Sequence, residues 1–184
     1  MFKKIPIEEM KQKNKSLKEL QSTVRINFLD CDPFGHLSNS RYIDYFYTAR
    51  VDQLRQHYDF DLYELGKTTG NNWVVAQSKI AYFYPVLYNE EVIIKSRMIA
   101  CSAFRVTAEY IMSDITGKKL HSLLWTDFIF VDMKSGKPVK HDKAMLEWFD
   151  SILYSSDDLD LNDFEGRTRL IQKSFRMEKS SSKG

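Results

Sequence analysis

One broad apolar helix followed by a run of alternating strands leaves this chain few folds to adopt. From Arg41 to about Tyr58, residues Tyr42, Ile43, Phe46, Tyr47, Val51, Leu54 and Tyr58 recur every three or four positions, the spacing of one helical face. The stripe is wide and rich in rings, so other structure must wrap this helix. The chain after it changes to a period of two. In Val92, Ile94, Ser96, Met98 and Ala100 the even positions are expected to face inward, with Glu91, Lys95 and Arg97 outward. Phe104, Val106, Ala108, Tyr110 and Met112 repeat that pattern opposite Arg105, Thr107 and Glu109. Ser102-Ala103 and Asp114-Ile115-Thr116-Gly117 are connections of hairpin length. A strand over Trp73–Tyr84 ends at Pro85. A longer one, Lys119–Asp132, is apolar on both faces near Leu123, Leu124 and Trp125 and reads as central, with Lys134–Pro138 stopping it. Ahead of the helix, Val24, Ile26 and Phe28 alternate with Thr23, Arg25 and Asn27 as a half-buried strand. The expectation is an α+β layout: one long central helix wrapped by a curved, mainly antiparallel sheet of five or six strands.

The flanks differ from this centre. Residues 1–20 carry six lysines and three glutamates, so 1–21 read as a solvated N-terminal arm, with a short helix through Ile7, Met10 and Leu17. Residues 59–71, with Gly66 and Gly70, read as a connector. Residues 141–154 suit a short helix using Met145, Leu146, Trp148 and Phe149. Residues 157–165 hold five acids and 167–179 five basic residues, so the end of the 141–184 segment reads as a mobile or partner-docked extension.

Several function classes are disfavoured. The net charge of +2 gives no footprint for nucleic acid. Neither G-x-G-x-x-G nor G-x-x-x-x-G-K-[ST] occurs among the seven glycines. Cys31 and Cys101 form no disulfide framework and read as free thiols of a reducing cytoplasm. The charged N-terminus lacks a signal-like apolar stretch. The longest nearly apolar run, Ile80 to Tyr88, has nine residues and falls short of a membrane span. His36, His57, His121 and His141 show no metal-ligand spacing.

Chemistry concentrates where the first strand meets the helix. Asp30-Cys31-Asp32-Pro33-Phe34-Gly35-His36 is a turn marked by Pro33 and Gly35, and Ser38, Asn39 or Ser40 can cap the helix. Residues Val24 to Tyr42 resemble the signature of hot dog fold acyl-CoA thioesterases of the 4-hydroxybenzoyl-CoA thioesterase type, a strand, then D-x-D-x-x-G-H-x-N-x-x-x-Y, then the central helix. Asp30, Asp32, Gly35, His36 and Tyr42 are in place, and Asn39 or Ser38 falls near the usual Asn. The segment from Val131 to Pro138 is also similar. The resemblance covers about 22–140, which it implies is a hot dog thioesterase domain.

The resemblance implies an acyl-thioester hydrolase acting on acyl-CoA or acyl-carrier protein, without cofactor or metal, as a homo-oligomer binding its substrate at a subunit interface. An open sheet edge agrees with association. Thioester hydrolysis needs a base or nucleophile and donors where the oxyanion forms. Asp32 is the candidate carboxylate, as either base or nucleophile, and the resemblance carries the catalytic role onto it. Amides near Ser38, Asn39 and Ser40, at the positive end of the helix, are candidate oxyanion donors. Gly35 lets the chain turn and substrate approach, and His36 holds the turn or contacts substrate. Ser38, Tyr42 and Phe46 are candidate substrate contacts, the two rings being core or acyl-pocket walls. Arg105, with Arg97 and Lys79, is a candidate for a nucleotide phosphate. Asp30 reads as structural, and Cys31 has no partner that would make it a nucleophile. Two rivals stand beside this reading. One is a catalytically silent module on the same fold that binds acyl thioesters or a partner protein. The other is a hydratase or dehydratase, for which His36 is the only nearby histidine.

Overall fold

The computed structural model describes residues 17–181. The elements follow in the order β1 (Leu20–Arg25), α1 (Tyr42–Tyr58), α2 (Leu62–Thr69), β2 (Asn71–Tyr82), β3 (Glu91–Cys101), β4 (Arg105–Asp114), β5 (Leu120–Asp132), α3 (Lys143–Ile152) and α4 (Phe164–Ser181). The five strands form one antiparallel sheet in the order β1-β3-β4-β5-β2. Its register opposes Val24 to Val92, Met98 to Ala108, Tyr110 to Leu124 and Trp73 to Phe130. Irregularities at Val75/Gln77, Met98/Ala100 and Met112/Ser113 add the local bend that lets a sheet curl around a helix. This is the hot dog arrangement that the motif implied.

The α1 stripe lies on the inner face of the sheet. Its first half packs Tyr42, Phe46 and Ala49 against Ile26, Val92, Ile94, Tyr110 and Met112. Its second half packs Leu54 and Tyr58 against Met98, Phe130, Met145, Trp148 and Phe149, so α3 closes that end of the core. Gln53 is buried within the stripe, and its amide donates to Ser22 Oγ at 2.9 Å and the Ile94 carbonyl at 3.0 Å. Asp59, in the left-handed region at φ 55°, ends the helix. No helix among the described residues is long and apolar enough to cross a membrane.

Four expectations about the elements are corrected. Phe28 is exposed rather than inward, because β1 stops at Arg25. The Asn27 side chain then accepts from the Leu29 amide and starts a single 3-10 turn, Phe28–Asp30. The 59–71 connector contains α2, capped by Asp61 on the amides of Tyr63 and Glu64. Gly66 is a position of close approach within α2, where a Cβ would meet Asn72 Nδ2 at 3.0 Å and Met133 Sδ at 3.1 Å. β5 lies second from an edge, and β4 is the middle strand. β1 begins at Leu20, inside the segment read as the arm; the helix expected through Ile7 and Met10 lies outside the described residues.

The largest correction concerns the outer face of the sheet. Arg97 and Glu109, expected to face water, are buried. The segment expected to be mobile or partner-docked folds as α4 and covers that face, with Phe164, Ile171 and Phe175 against Ile111, Leu120 and Leu123. Arg167 from α4 donates to Glu109 through Nε at 2.9 Å and Nη2 at 3.1 Å. Glu109 also accepts from Trp125 Nε1 at 2.7 Å and Arg97 Nε at 2.7 Å, with a further bond from Arg97 Nη2. Arg97 Nη1 reaches Glu19 at 2.8 Å, and the Tyr154 ring lies 3.9 Å from the guanidinium carbon.

Candidate active site

The loop between β1 and α1 is built on Asp32. Its Oδ1 accepts the amides of Phe34 at 2.9 Å and His36 at 3.0 Å, an Asx-type turn. The backbone closes the same loop through Asp32 N–H to the His36 carbonyl at 2.7 Å and Gly35 N–H to the Asp32 carbonyl at 3.0 Å. Gly35 has φ +74° and open space where a Cβ would stand, so glycine is needed here for backbone conformation rather than for room. The loop is tied to the segment before β3 by Leu37 N–H to the Val86 carbonyl and Tyr88 N–H to the Gly35 carbonyl, both 2.9 Å.

The two aspartates divide their work. Asp30 Oδ2 accepts the Tyr45 hydroxyl at 2.8 Å, and Arg41 Nε stands 3.6 Å from its Oδ1. Asp30 therefore anchors the loop to α1, as a structural residue should. Asp32 Oδ2 accepts no hydrogen bond among the described residues, so one oxygen is held by the turn and the other is uncommitted. Cys31 is half-buried, and its thiol faces the Asn27 carbonyl at 3.4 Å. Burial first, then the charges of Asp30 and Asp32, push that thiol up, which disfavours the thiolate a nucleophile needs.

None of Ser38, Asn39 and Ser40 caps α1. The N-cap residue is Arg41, with no side-chain cap bond. The Ser38 amide is already committed to the Asp30 carbonyl at 2.9 Å. The amides of Asn39 and Ser40 donate to no acceptor among the described residues, and the first turn of α1 lacks a capping side chain to occupy its unpaired N–H groups. His36 is half-buried, bridges to Leu87, and makes no ring hydrogen bond among the described residues.

The ring candidates are core residues first. Tyr42 is buried and packs edge-on against Tyr82 at 5.0 Å. Burial pushes its phenol up, opposed by a hydrogen bond with the Val86 backbone. The Tyr82 hydroxyl in turn donates to the Asn39 carbonyl at 3.0 Å. Phe46 is fully enclosed and packs on Tyr110 at 5.6 Å. Arg105 is not brought to this loop within one chain. It opens β4, seven residues from the Met112 that packs in the Tyr42 cluster, roughly 23 Å along a strand. Arg97 is committed to Glu109 and Glu19 and has no free face for a phosphate.

Two supporting residues carried no sequence signal. Glu90 Oε2 accepts the Leu87 amide at 2.8 Å and so fixes the segment that receives the motif loop. Its other oxygen lies 3.2 Å from Nε2 of the fully buried His121, whose Nδ1 faces the Tyr84 carbonyl at 2.9 Å. Neither belongs to a motif or to a periodic run. Around the loop, Phe28, Leu29, Phe34, Leu87 and Tyr88 are exposed, so the free Asp32 oxygen sits within an apolar surface.

A family model described as thioesterase-like superfamily matches residues 26–149. No curated protein matches the chain in sequence. Among solved structures, the DHNA-CoA thioesterase of Staphylococcus aureus is 20% identical with a TM-score of 0.65, over 72% of this chain and 87% of its own. The probable thioesterase YbaW of Escherichia coli is 17% identical with a TM-score of 0.63, over 73% and 99%. A Thermus thermophilus thioesterase complexed with coenzyme A and Zn is 20% identical with a TM-score of 0.58, over 70% and 95%. These likenesses establish the shared fold.

Proposed function

Because the chain belongs to the thioesterase-like superfamily, and is on that ground a thioesterase, we propose that it hydrolyses acyl-CoA thioesters with Asp32 as the carboxylate that brings about attack on the carbonyl. The observation that carries this reading is the split use of the Asp32 side chain. Oδ1 is fixed by two amides while Oδ2 has no partner among the described residues. A carboxylate held this way has a defined direction and a free lone pair. As a base, Oδ2 takes a proton from water as the oxygen attacks the thioester carbonyl; as a nucleophile, it attacks directly and water then releases the acid. In both routes the carbon–sulfur bond breaks and the thiol leaves. The amides of Asn39 and Ser40, with the first turn of α1, supply donors for the oxyanion. The Ser38 and His36 side chains flank the approach. Tyr42, anchored at Val86 and Tyr82, shapes the wall.

The solved relatives that contain coenzyme A, or are named for a CoA substrate, support CoA over carrier protein as the leaving arm. A second copy of the chain supplies the remainder of the substrate site. β2 has only β5 as a neighbour, and Val74 and Val75 on it are about half exposed, at 47% and 50%. An open strand with this much apolar surface favours pairing with another chain. The two free thiols, Cys31 and Cys101, support a cytoplasmic setting.

The test is Asp32→Asn assayed against a panel of acyl-CoAs with a thiol reagent. The amide oxygen of Asn retains the two turn bonds, so the melting temperature is expected to stay within a few degrees. Turnover is expected to fall about a hundredfold or more. Full activity in the folded variant overturns the role of Asp32. Binding without thiol release in the wild-type protein favours a silent acyl-thioester-binding module instead.

A further inference from the structure

A cavity of about 120 Å³ lies between the second half of α1, the inner face of the sheet and α3, lined by Leu54, Trp73, Met98, Val106, Trp148 and Phe149. Apolar cavities near this size bind small rings. One lining residue does not belong in such a place. Arg50 projects from α1 into this cavity, and its only hydrogen-bond partner among the described residues is Ser96 Oγ, 3.1 Å from Nη1. Ser96 spends its own proton on Gln53 Oε1, so it meets Arg50 as an acceptor only. A guanidinium carries five N–H donors and stays charged in proteins, which leaves four donors without protein acceptors. No carboxylate among the described residues stands within ion-pair distance of Arg50. Arg50 is half-buried, and the phenols of Tyr110 and Tyr58 oppose the cost of its desolvation. The two buried arginines, Arg97 and Arg167, are both paired to Glu109, whereas the half-buried Arg50 has no such partner among the described residues.

We propose that this cavity is a binding site for a small apolar carboxylic acid, an aromatic or short-chain aliphatic one, whose carboxylate pairs with Arg50 and whose ring or chain lies among Trp73, Met98, Val106, Trp148 and Phe149. A carboxylate matches the guanidinium fork in a way a neutral polar group does not. The aromatic walls match a ring of roughly benzene size. Arg50 lies eight residues beyond Tyr42 on α1, about 12 Å along the axis, so the site is distinct from the Asp32 loop. It stands apart from the hydrolase reading, and its test uses no thioester.

Benzoate and hexanoate are titrated into the protein by calorimetry, with benzyl alcohol and 1-hexanol as neutral counterparts of similar shape. The acids are expected to bind at least tenfold more tightly than the alcohols. Arg50→Gln, shown to be folded by circular dichroism, is expected to reduce the acids to the level of the alcohols. Val106→Phe fills the cavity while leaving Arg50 in place and is expected to abolish binding of both acids. Alcohols that match acids in the wild-type protein overturn the proposal, as does an acid preference that survives Arg50→Gln. Should Arg50→Gln fail to fold, Val106→Phe decides: unaltered acid binding in that variant overturns the proposal.

Discussion

Replacing Arg167 by Met removes one member of a buried, ion-paired group. Glu109 is 0% exposed, Arg167 5% and Arg97 7%. Glu109 is paired with both Arg97 and Arg167, and Arg97 also meets Glu19, which Lys95 holds at 3.0 Å from the more exposed side. Without Arg167, Glu109 keeps Arg97 as its one ion-pair partner among the described residues and loses two of the five hydrogen bonds that it accepts. Breaking one partner from a buried pair costs about 3–5 kcal/mol. Arg97 and Trp125 remain, and Met retains apolar contact under α4, which places the expected loss near the lower end, about 3 kcal/mol. That is roughly a 150-fold fall in the folding equilibrium constant. Urea denaturation followed by tryptophan fluorescence measures it as a shift in midpoint at unchanged slope. The double variant Arg167→Met/Glu109→Gln removes both charges and is expected to recover part of the loss, giving a positive coupling in the mutant cycle. A loss below about 1 kcal/mol, with no coupling, would refute the reasoning, because the contacts would then behave as surface ion pairs do.

Acid stability follows from two groups with opposite charge types and the same sign of effect. Despite burial, hydrogen bonds from Arg167 and the two guanidinium charges hold Glu109 below its ordinary value of 4.5. Its contribution is whole above that value and is lost as pH falls through the lower folded one. His141 is held neutral by burial, with Nε2 accepting from Trp73 Nε1 at 3.0 Å, and its value lies below the ordinary 6.5. Unfolding takes up a proton there, so stability begins to decline already below about pH 6.5; urea midpoints across the acid range should show both stages, and Arg167→Met should weaken the later one. Gly35→Ala meets no steric obstacle but must adopt φ +74°. It is expected to cost about 1 kcal/mol and to lower thioesterase turnover with the turn that holds Asp32, read by calorimetric melting alongside acyl-CoA hydrolysis. Trp148→Ala empties the centre of the α3 end of the core, where Trp148 contacts Tyr58, Phe60 and Phe149, and is expected to cost about 3–5 kcal/mol in the same urea assay. Val75→Lys on the open β2 strand is expected to weaken self-association about tenfold or more, measured by sedimentation.

The parts legible in the sequence were those where one side chain faces one environment. The α1 stripe, the β3 and β4 alternation and the Asp32 turn all obey a local rule, and the chain keeps to it. Phe28 did not, because alternation carries no information about where pairing stops; Asn27 ends the strand by an Asx bond that the period cannot show. α2 was hidden by Gly66, whose presence reflects close packing against Asn72 and Met133 rather than a break. Arg97 and Glu109 depart from the solvent-facing expectation for a different reason. Their residue types suit an exposed strand face, and only a helix some 60 positions downstream makes them buried. At the candidate active-site loop the residue types of the motif are readable, whereas the division between a fixed and a free Asp32 oxygen depends on how the turn folds. Arg50 sits on a helix whose neighbours are apolar, but a single arginine on such a stripe ordinarily snorkels to water, and nothing in the sequence marks this one as turned toward a cavity.

Covering the outer face of the sheet with α4 limits how copies of this protein can assemble. A sheet with one bare face can stack on another sheet, back to back. Here Ile111, Leu120 and Leu123 already lie beneath Phe164, Ile171 and Phe175 of the same chain, and Glu109 on that face is paired with Arg97 and Arg167. The surface that stacking would use has been spent within the monomer. Any association between copies is thereby left to the strand edges, helices and loops.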